Sequence, residues 1–144
     1  MTTFNAKKII CSIFSFTHTD SATIYKSDII FTGRVPQITL EKTIASSSGL
    51  FLISKFEGFG IPILESLFSK TPVITSKGGC FSEAGGKGSR YINPLSIDEM
   101  KKTILEIQNS TKLQNSMAEK GFEYAQNFTD DKISTNLMSV YNKL

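Results

Sequence analysis

Three short apolar runs, separated by helical patterns, constrain the fold of this chain more than any other feature. The runs cover residues 28–33, 49–53 and 72–75. They are apolar nearly throughout, which is typical of strands buried on both faces of a parallel sheet. Helical patterns at residues 38–46 and 62–69 lie between them. The sequence therefore predicts an α/β domain, a parallel sheet flanked by helices.

The second half of the chain is predicted to be mostly helical. Residues 77–89 are rich in glycine and are predicted as a loop, and residues 91–92 as a brief fourth strand. Ser96 is a candidate N-cap, with Glu99 completing a capping box. Helical spacing then predicts a helical C-terminal tail that packs onto the core, at residues 97–108, 111–127 and 130–143.

Composition narrows the function classes. A chain of 144 residues with 40% hydrophobic and 20% charged residues is typical of one globular domain. Its net charge of +3, with no run of Lys or Arg, gives no reason to expect a nucleic-acid partner. Cys11 and Cys80 lack the spacing of a disulfide framework or zinc site, so a reducing cytoplasm is the expected location. Serines break the apolar run at residues 9–16, which favours a buried strand over a signal peptide.

Residues 56–65 carry the most informative local pattern. Glu57 and Glu65 flank a glycine-bearing turn, and Pro62 marks the start of an apolar helix. Backbone N–H groups at a helix N-terminus bind phosphate, aided by the helix dipole. The carboxylates would repel phosphate, so we expect them to face hydroxyl groups. The segment therefore predicts a site for a nucleotide-sugar, which combines a diphosphate with polyols.

Other nucleotide-binding and catalytic motifs fit less well. Gly58 and Gly60 lack the third glycine of a dinucleotide-binding loop, because Ile63 occupies that position. The glycines around Lys87 lack the remaining residues of a Walker A loop. His18 is the only histidine and has no triad signature around it. We therefore expect neither a dinucleotide-binding fold nor a P-loop. The sequence also shows no cluster of carboxylates at the spacing of metal ligands, so it predicts no metal site.

Several motifs in order resemble those of one enzyme family. They are Phe31-Thr32-Gly33, an apolar strand with Ser54 before the E-x7-E element, Lys70-Thr71-Pro72-Val73-Ile74, Gly78-Gly79 with Glu83, and Asn93-Pro94. From Ile30 onward the chain resembles the C-terminal domain of group 1 retaining glycosyltransferases of the GT-B class. Lys70 stands where the family usually has glycine, and Ser82 where it has proline. The resemblance implies a Rossmann-like sheet, the C-terminal half of a GT-B fold.

The resemblance also implies roles for individual residues. Glu57 would act in catalysis by holding hydroxyls of the transferred sugar, and Glu65 would bind the ribose. The loop at Gly33, Arg34 and Val35 would line the base pocket, and Ser54 would shape the same wall. Glu83 has a weaker claim. The turn would meet the diphosphate or the sugar through backbone N–H groups of Gly58, Phe59, Gly60 and Ile61.

The implied reaction is sugar transfer from a nucleoside diphosphate with retention of configuration. The nucleotide-sugar is the donor substrate, and no metal or other cofactor is expected. Family members bind the acceptor, a glycan or lipid-linked sugar, on an N-terminal domain that would also make any peripheral membrane contact. Residues 1–29 do not show the family's first strand with its basic residues. We therefore treat residues 1–29 as an uncertain, partly strand-like remnant and residues 30–144 as the donor-binding domain.

Three interpretations remain at this point. The chain is the donor-binding half of a truncated or partial glycosyltransferase, or it is a non-catalytic nucleotide-sugar-binding module that works with a separate acceptor-domain chain. The third is a sugar-nucleotide epimerase of related architecture, which would need catalytic residues that the sequence does not display.

Overall fold

A computed structural model describes residues 35–143 and shows a small parallel sheet with helices around it. The strands are β1 (Leu50–Leu52), β2 (Val73–Ser76) and β3 (Arg90–Ile92). The helices are α1 (Gln37–Ala45), α2 (Ile61–Phe68), α3 (Phe81–Gly85), α4 (Ile97–Gln108), α5 (Thr111–Ala125) and α6 (Asp130–Tyr141). Short 3-10 turns occupy Gly86–Gly88 and Gln126–Phe128. The strand predicted at residues 28–33, and everything predicted for residues 1–29, lie outside the described residues.

The sheet confirms the predicted fold class. Its order is β1-β2-β3, and both neighbouring pairs are parallel. Leu52 pairs with Thr75, and Thr75 in turn pairs with Tyr91. Because all three strands run the same way, their carboxyl ends lie at one edge, where ligands bind in open α/β sheets.

The core has two parts because successive strand residues point to opposite faces of the sheet. One cluster contains Leu50, Leu52, Ile63, Leu67, Val73, Phe81, Ala84 and Ala125. The other contains Ile74, Ile92, Ile107 and Met117. Helices thus cover the sheet on both faces, which explains why β1 is apolar at every position and why β2 is buried along its whole length.

The glycine-rich segment at residues 77–89 is more ordered than the sequence predicts. It contains α3 and a 3-10 turn in place of a continuous loop. Phe81 and Ala84 are buried in the core, and this burial stabilises the short helix despite the glycines around it. Gly88 packs so closely on α5 that a Cβ there would lie 2.4 Å from the backbone N of Gly121. These glycines serve close packing as well as turns.

The C-terminal helices differ in how they pack. Helix α4 buries Ile107 and α5 buries Met117, as predicted. The prediction is wrong for α6, which buries no residue of its own. Its apolar side chains are between 50% and 62% exposed, namely Ile133, Leu137, Met138, Val140 and Tyr141. Helical periodicity indicates an apolar face but does not say what covers it.

Candidate functional site

The loops that follow the three strands meet at the carboxyl edge of the sheet. The first, at residues 53–60, holds the first glutamate and the glycine turn, and the second, at residues 77–80, follows β2. A thiol–backbone bond joins these loops: the Cys80 Sγ lies 3.3 Å from the carbonyl oxygen of Glu57, to which it donates. This contact brings the loop that holds Glu57 against the loop that follows β2.

Glu57 is half-buried, and its carboxylate is held by Ser54, which is itself held by the end of β2. The Ser54 hydroxyl donates a hydrogen bond of 2.9 Å to its Oε1. The Ser76 hydroxyl, at the end of β2, donates to the carbonyl of Ser54 at 2.6 Å. These contacts order the carboxylate beside the turn and leave part of it open to solvent. Ser54 was predicted to shape a wall of the site, and the structure places its side chain directly on Glu57.

The glycine turn sets the start of α2. Gly60 is the N-cap residue and has a φ of 92°, a left-handed conformation that favours glycine. Pro62 lies in the first turn of the helix, where its missing N–H costs nothing. Among residues 35–143, no backbone acceptor is paired with the N–H groups of Phe59, Gly60 or Ile61. The turn thus presents donors at the positive end of a helix dipole.

Glu65 lies on α2, one turn beyond the helix start, and meets a partner that the sequence analysis missed. Gln37, the first residue of α1, donates from Nε2 to Glu65 Oε1 at 2.9 Å. The same amide nitrogen reaches Glu41 Oε1 at 3.2 Å. The sequence predicts that ligand hydroxyls supply the donors for Glu65, whereas in the structure the protein supplies one itself. The sequence offers only a weak indication of this contact, namely that Gln37 directly follows Val35-Pro36, at the end of the loop predicted to line the base pocket.

The remaining predicted residues are placed less centrally. Val35 is half-buried beside α1, while Gly33 and Arg34 lie outside the described residues. The Glu83 side chain is exposed on α3, and only its carbonyl is engaged, accepting a 2.6 Å hydrogen bond from the Tyr124 hydroxyl. Gly58 has open space around it, with no atom within 4 Å of a Cβ built there.

Aromatic rings connect the turn to the C-terminal helices. Phe59 packs edge-on against Phe128 with 5.9 Å between ring centroids. Phe128 also contacts Tyr124, at 5.6 Å. These rings back the glycine turn from the side of α5, so the position of the turn depends on residues far along the chain.

Two titratable groups near this edge have shifted pKa values. A hydrogen bond from Lys77 and a second from the Asn93 N–H lower the pKa of Glu99. Ser96 caps α4 by accepting from the Glu99 N–H at 3.2 Å, but the Glu99 carboxylate contacts Asn93 and Lys77. The predicted capping box is thus only half formed. Elsewhere, burial raises the pKa of Tyr91 to about 12, with the nearby Tyr124 adding to the shift and a Ser89 hydrogen bond opposing it.

Other features of the surface lie away from the motif. A cavity of about 210 Å³ opens at the opposite edge of the sheet, beside Gly49, Pro72 and Ile104. Its lining has no charged side chain. Within residues 35–143, no three His, Cys, Asp or Glu side chains come together as metal ligands. No helix in that part of the chain is long and apolar enough to cross a bilayer.

Comparison with known proteins places this arrangement in a family. The model for glycosyl transferases of group 1 matches residues 19–124. MMP alpha-(1->4)-mannosyltransferase of Mycolicibacterium hassiacum is 25% identical over 81% of this chain, and O-antigen chain mannosyltransferase B of Escherichia coli is 26% identical over 81%. This chain spans 30% of the length of each of these relatives. Sucrose-phosphate synthase of Thermosynechococcus elongatus shares the fold, with a TM-score of 0.73 and 19% identity over 81% of this chain and 30% of that one.

Proposed function

We propose, from the premise that this chain belongs to the group 1 glycosyl transferases, that it binds the nucleotide-sugar donor for a transfer that retains anomeric configuration. The observation that carries the proposal is the pairing of an open N–H turn with two ordered carboxylates at one edge of the sheet. A nucleotide-sugar presents a diphosphate and two sets of sugar hydroxyls, which is the complementary set of groups. The same fold carries many different functions, so the assignment rests on the residues of the site and not on the fold.

The turn at residues 58–61 would receive the diphosphate. Its N–H groups lie at the N-terminus of α2, where the helix dipole favours negative charge. As the bond from sugar to phosphate breaks, negative charge grows on the departing diphosphate. Fixed donors at this place stabilise that charge without having to reorganise.

The two carboxylates would divide the hydroxyls between them. Glu57, held by Ser54, would accept hydrogen bonds from the transferred sugar, and Glu65, held by Gln37, from the ribose. Each carboxylate has four acceptor sites, so one internal donor leaves room for ligand hydroxyls. Glu57 is therefore our candidate for the residue nearest the reacting carbon.

An acceptor would be bound by a further domain. The two mannosyltransferases named above are about three times as long as this chain, and the one from Escherichia coli is named for an O-antigen chain. We infer a glycan or lipid-linked sugar as acceptor and a role in polysaccharide synthesis. The exposed apolar side of α6 offers a surface that such a domain could cover.

Calorimetric titration of the full chain tests the proposal. We expect a GDP-, UDP- or ADP-sugar to bind, with GDP-mannose the first to try because two relatives are mannosyltransferases. The free nucleoside diphosphate should bind more weakly than the sugar-bearing donor, since it lacks the groups that face Glu57. Failure of every nucleotide-sugar to bind would contradict donor binding by this chain.

A non-catalytic binding module is the second candidate, because the chain spans only 30% of the length of its enzyme relatives. The module would hold the same donor and depend on a separate chain for the acceptor. Incubation with a nucleotide-sugar and a glycan acceptor separates the two. Donor binding with no transfer and no donor hydrolysis favours the module, and transfer by the chain alone excludes it.

A further inference from the structure

We propose that Ser76 is a positioning residue for Glu57, a role that rests on the proposed function of that carboxylate. Ser76 is the last residue of β2 and is 1% exposed, so it does not contact a ligand directly. Its hydroxyl donates to the carbonyl of Ser54, and the hydroxyl of Ser54 donates to Glu57. The central strand is thereby connected to the carboxylate through two hydrogen bonds.

The need for this connection follows from where the sheet pairing ends. The last pair between β1 and β2 is Leu52 with Thr75, so the chain leaves the ladder just before Ser54. Two successive hydroxyls of β2 continue the attachment beyond that point. Thr75 donates to the carbonyl of Leu52 at 2.8 Å, and Ser76 to that of Ser54 at 2.6 Å. β2 itself is paired on both sides, which makes it a firm support.

The attachment matters because the loop between Ser54 and Gly60 has few others. The side chain of Phe56 in this loop is 86% exposed, and its carbonyl accepts only a long contact of 3.5 Å from the Ser54 hydroxyl. The other tie on Glu57 is the Cys80 thiol at 3.3 Å, and a thiol is a weak donor. Loss of the Ser76 hydroxyl would leave the partly buried Ser54 carbonyl without this donor. We therefore expect the loop, and with it Glu57, to lose order when that hydroxyl is removed.

Replacement of Ser76 by alanine, with Ser66→Ala as matched control, tests the proposal. Ser66 is equally buried, and its hydroxyl also donates to one backbone carbonyl, that of Pro62, at 2.8 Å. That bond lies within α2 and does not reach Glu57. We expect Ser76→Ala to speed tryptic cleavage after Lys55, an exposed residue of this loop, by about two- to tenfold, and Ser66→Ala to leave it unchanged. Ser76→Cys, which keeps a weak donor on a larger atom, should fall between and serves if the alanine variant does not fold.

Binding gives a second readout that a merely structural role would not move. Ser76→Ala should weaken the sugar-bearing donor by about two- to tenfold while leaving the free nucleoside diphosphate unchanged. Unchanged cleavage after Lys55, or an equal effect of Ser76→Ala and Ser66→Ala, would overturn the proposal. Faster cleavage in Ser76→Ala alone supports it even if the unsubstituted chain binds no nucleotide-sugar, a result that would count against the proposed function only.

Discussion

Phe59 and Phe128 meet edge to face, with 5.9 Å between ring centroids and 62° between ring planes. One ring belongs to the glycine turn before α2, and the other to the 3-10 turn between α5 and α6. The contact therefore joins the candidate diphosphate site to the segment from which the C-terminal helix departs. A change in the direction of α6 would move Phe128 and, through the ring contact, Phe59.

Replacing Phe128 by alanine should destabilise the chain and loosen the turn. The lost aromatic contacts with Phe59 and Tyr124 are each worth about 0.5–1.5 kcal/mol beyond the area they bury. Urea unfolding measures the change in stability, and the affinity for a nucleoside diphosphate measures the effect on the turn. Phe128→Leu keeps apolar bulk without the ring and should recover part of the stability. Unaltered stability in Phe128→Ala would show that the ring contacts contribute nothing.

Substitutions of the two glutamates should weaken the binding of different ligands. Glu65→Gln should weaken the free nucleoside diphosphate and the full donor alike, because charge-assisted hydrogen bonds are worth about 1.5–3 kcal/mol. Glu57→Gln should weaken the sugar-bearing donor and spare the nucleoside diphosphate. Calorimetry with both ligands on both variants checks this division. Equal losses for both ligands in both variants would refute it.

Gly88→Ala should cost about 1–3 kcal/mol of unfolding free energy, as overpacked sites do. The added Cβ would lie 2.4 Å from the N of Gly121 and 2.6 Å from its Cα, and backbone cannot move aside as a flexible side chain can. Gly58→Ala is the matched control, since a Cβ there has no neighbour within 4 Å. We expect the control to change stability by less than about 0.5 kcal/mol. Chemical unfolding of both variants against the parent chain measures the difference.

Stability should fall in alkaline solution because of Tyr91. Its pKa is raised to about 12 by burial, against 10.0 for an ordinary tyrosine, so the folded chain retains this proton longer than the unfolded chain. The contribution is complete below pH 10 and is lost as the pH rises towards 12. Unfolding should therefore be compared between the parent chain and Tyr91→Phe from pH 9 to 12. A stability difference that stays constant across this range would contradict the assignment.

Patterns local in sequence predicted the elements well. The apolar runs before Ser54 and Ser76 gave two strands, and glycine with proline around Pro62 gave the start of α2. These features depend on residues within one turn or one strand of each other. Helix α3 escaped prediction because the glycines around Phe81 favour a loop, and only tertiary burial of that ring overrides them.

Contacts between residues far apart in the sequence could not be predicted from local sequence patterns. Gln37 and Glu65 are separated by 28 positions, and nothing in either local sequence indicates that they meet. Ser76 lies just beyond the strand predicted at residues 72–75, and its bond to Ser54 follows from strand register, which short apolar strands specify weakly. The residue roles implied by family resemblance stay predictions until ligand binding is measured.

The exposed side of α6 has a consequence for the helix itself. A helix of 12 residues is marginal in water on its own, since isolated helices need roughly 12–15 residues to persist, and α6 buries no side chain that would secure it. We expect its last turns to fray and to be cut first by a protease when the chain is alone. If another domain or chain covers Ile133 and Leu137, α6 should become more helical and resist the protease. Limited proteolysis therefore detects assembly without any assay of sugar transfer.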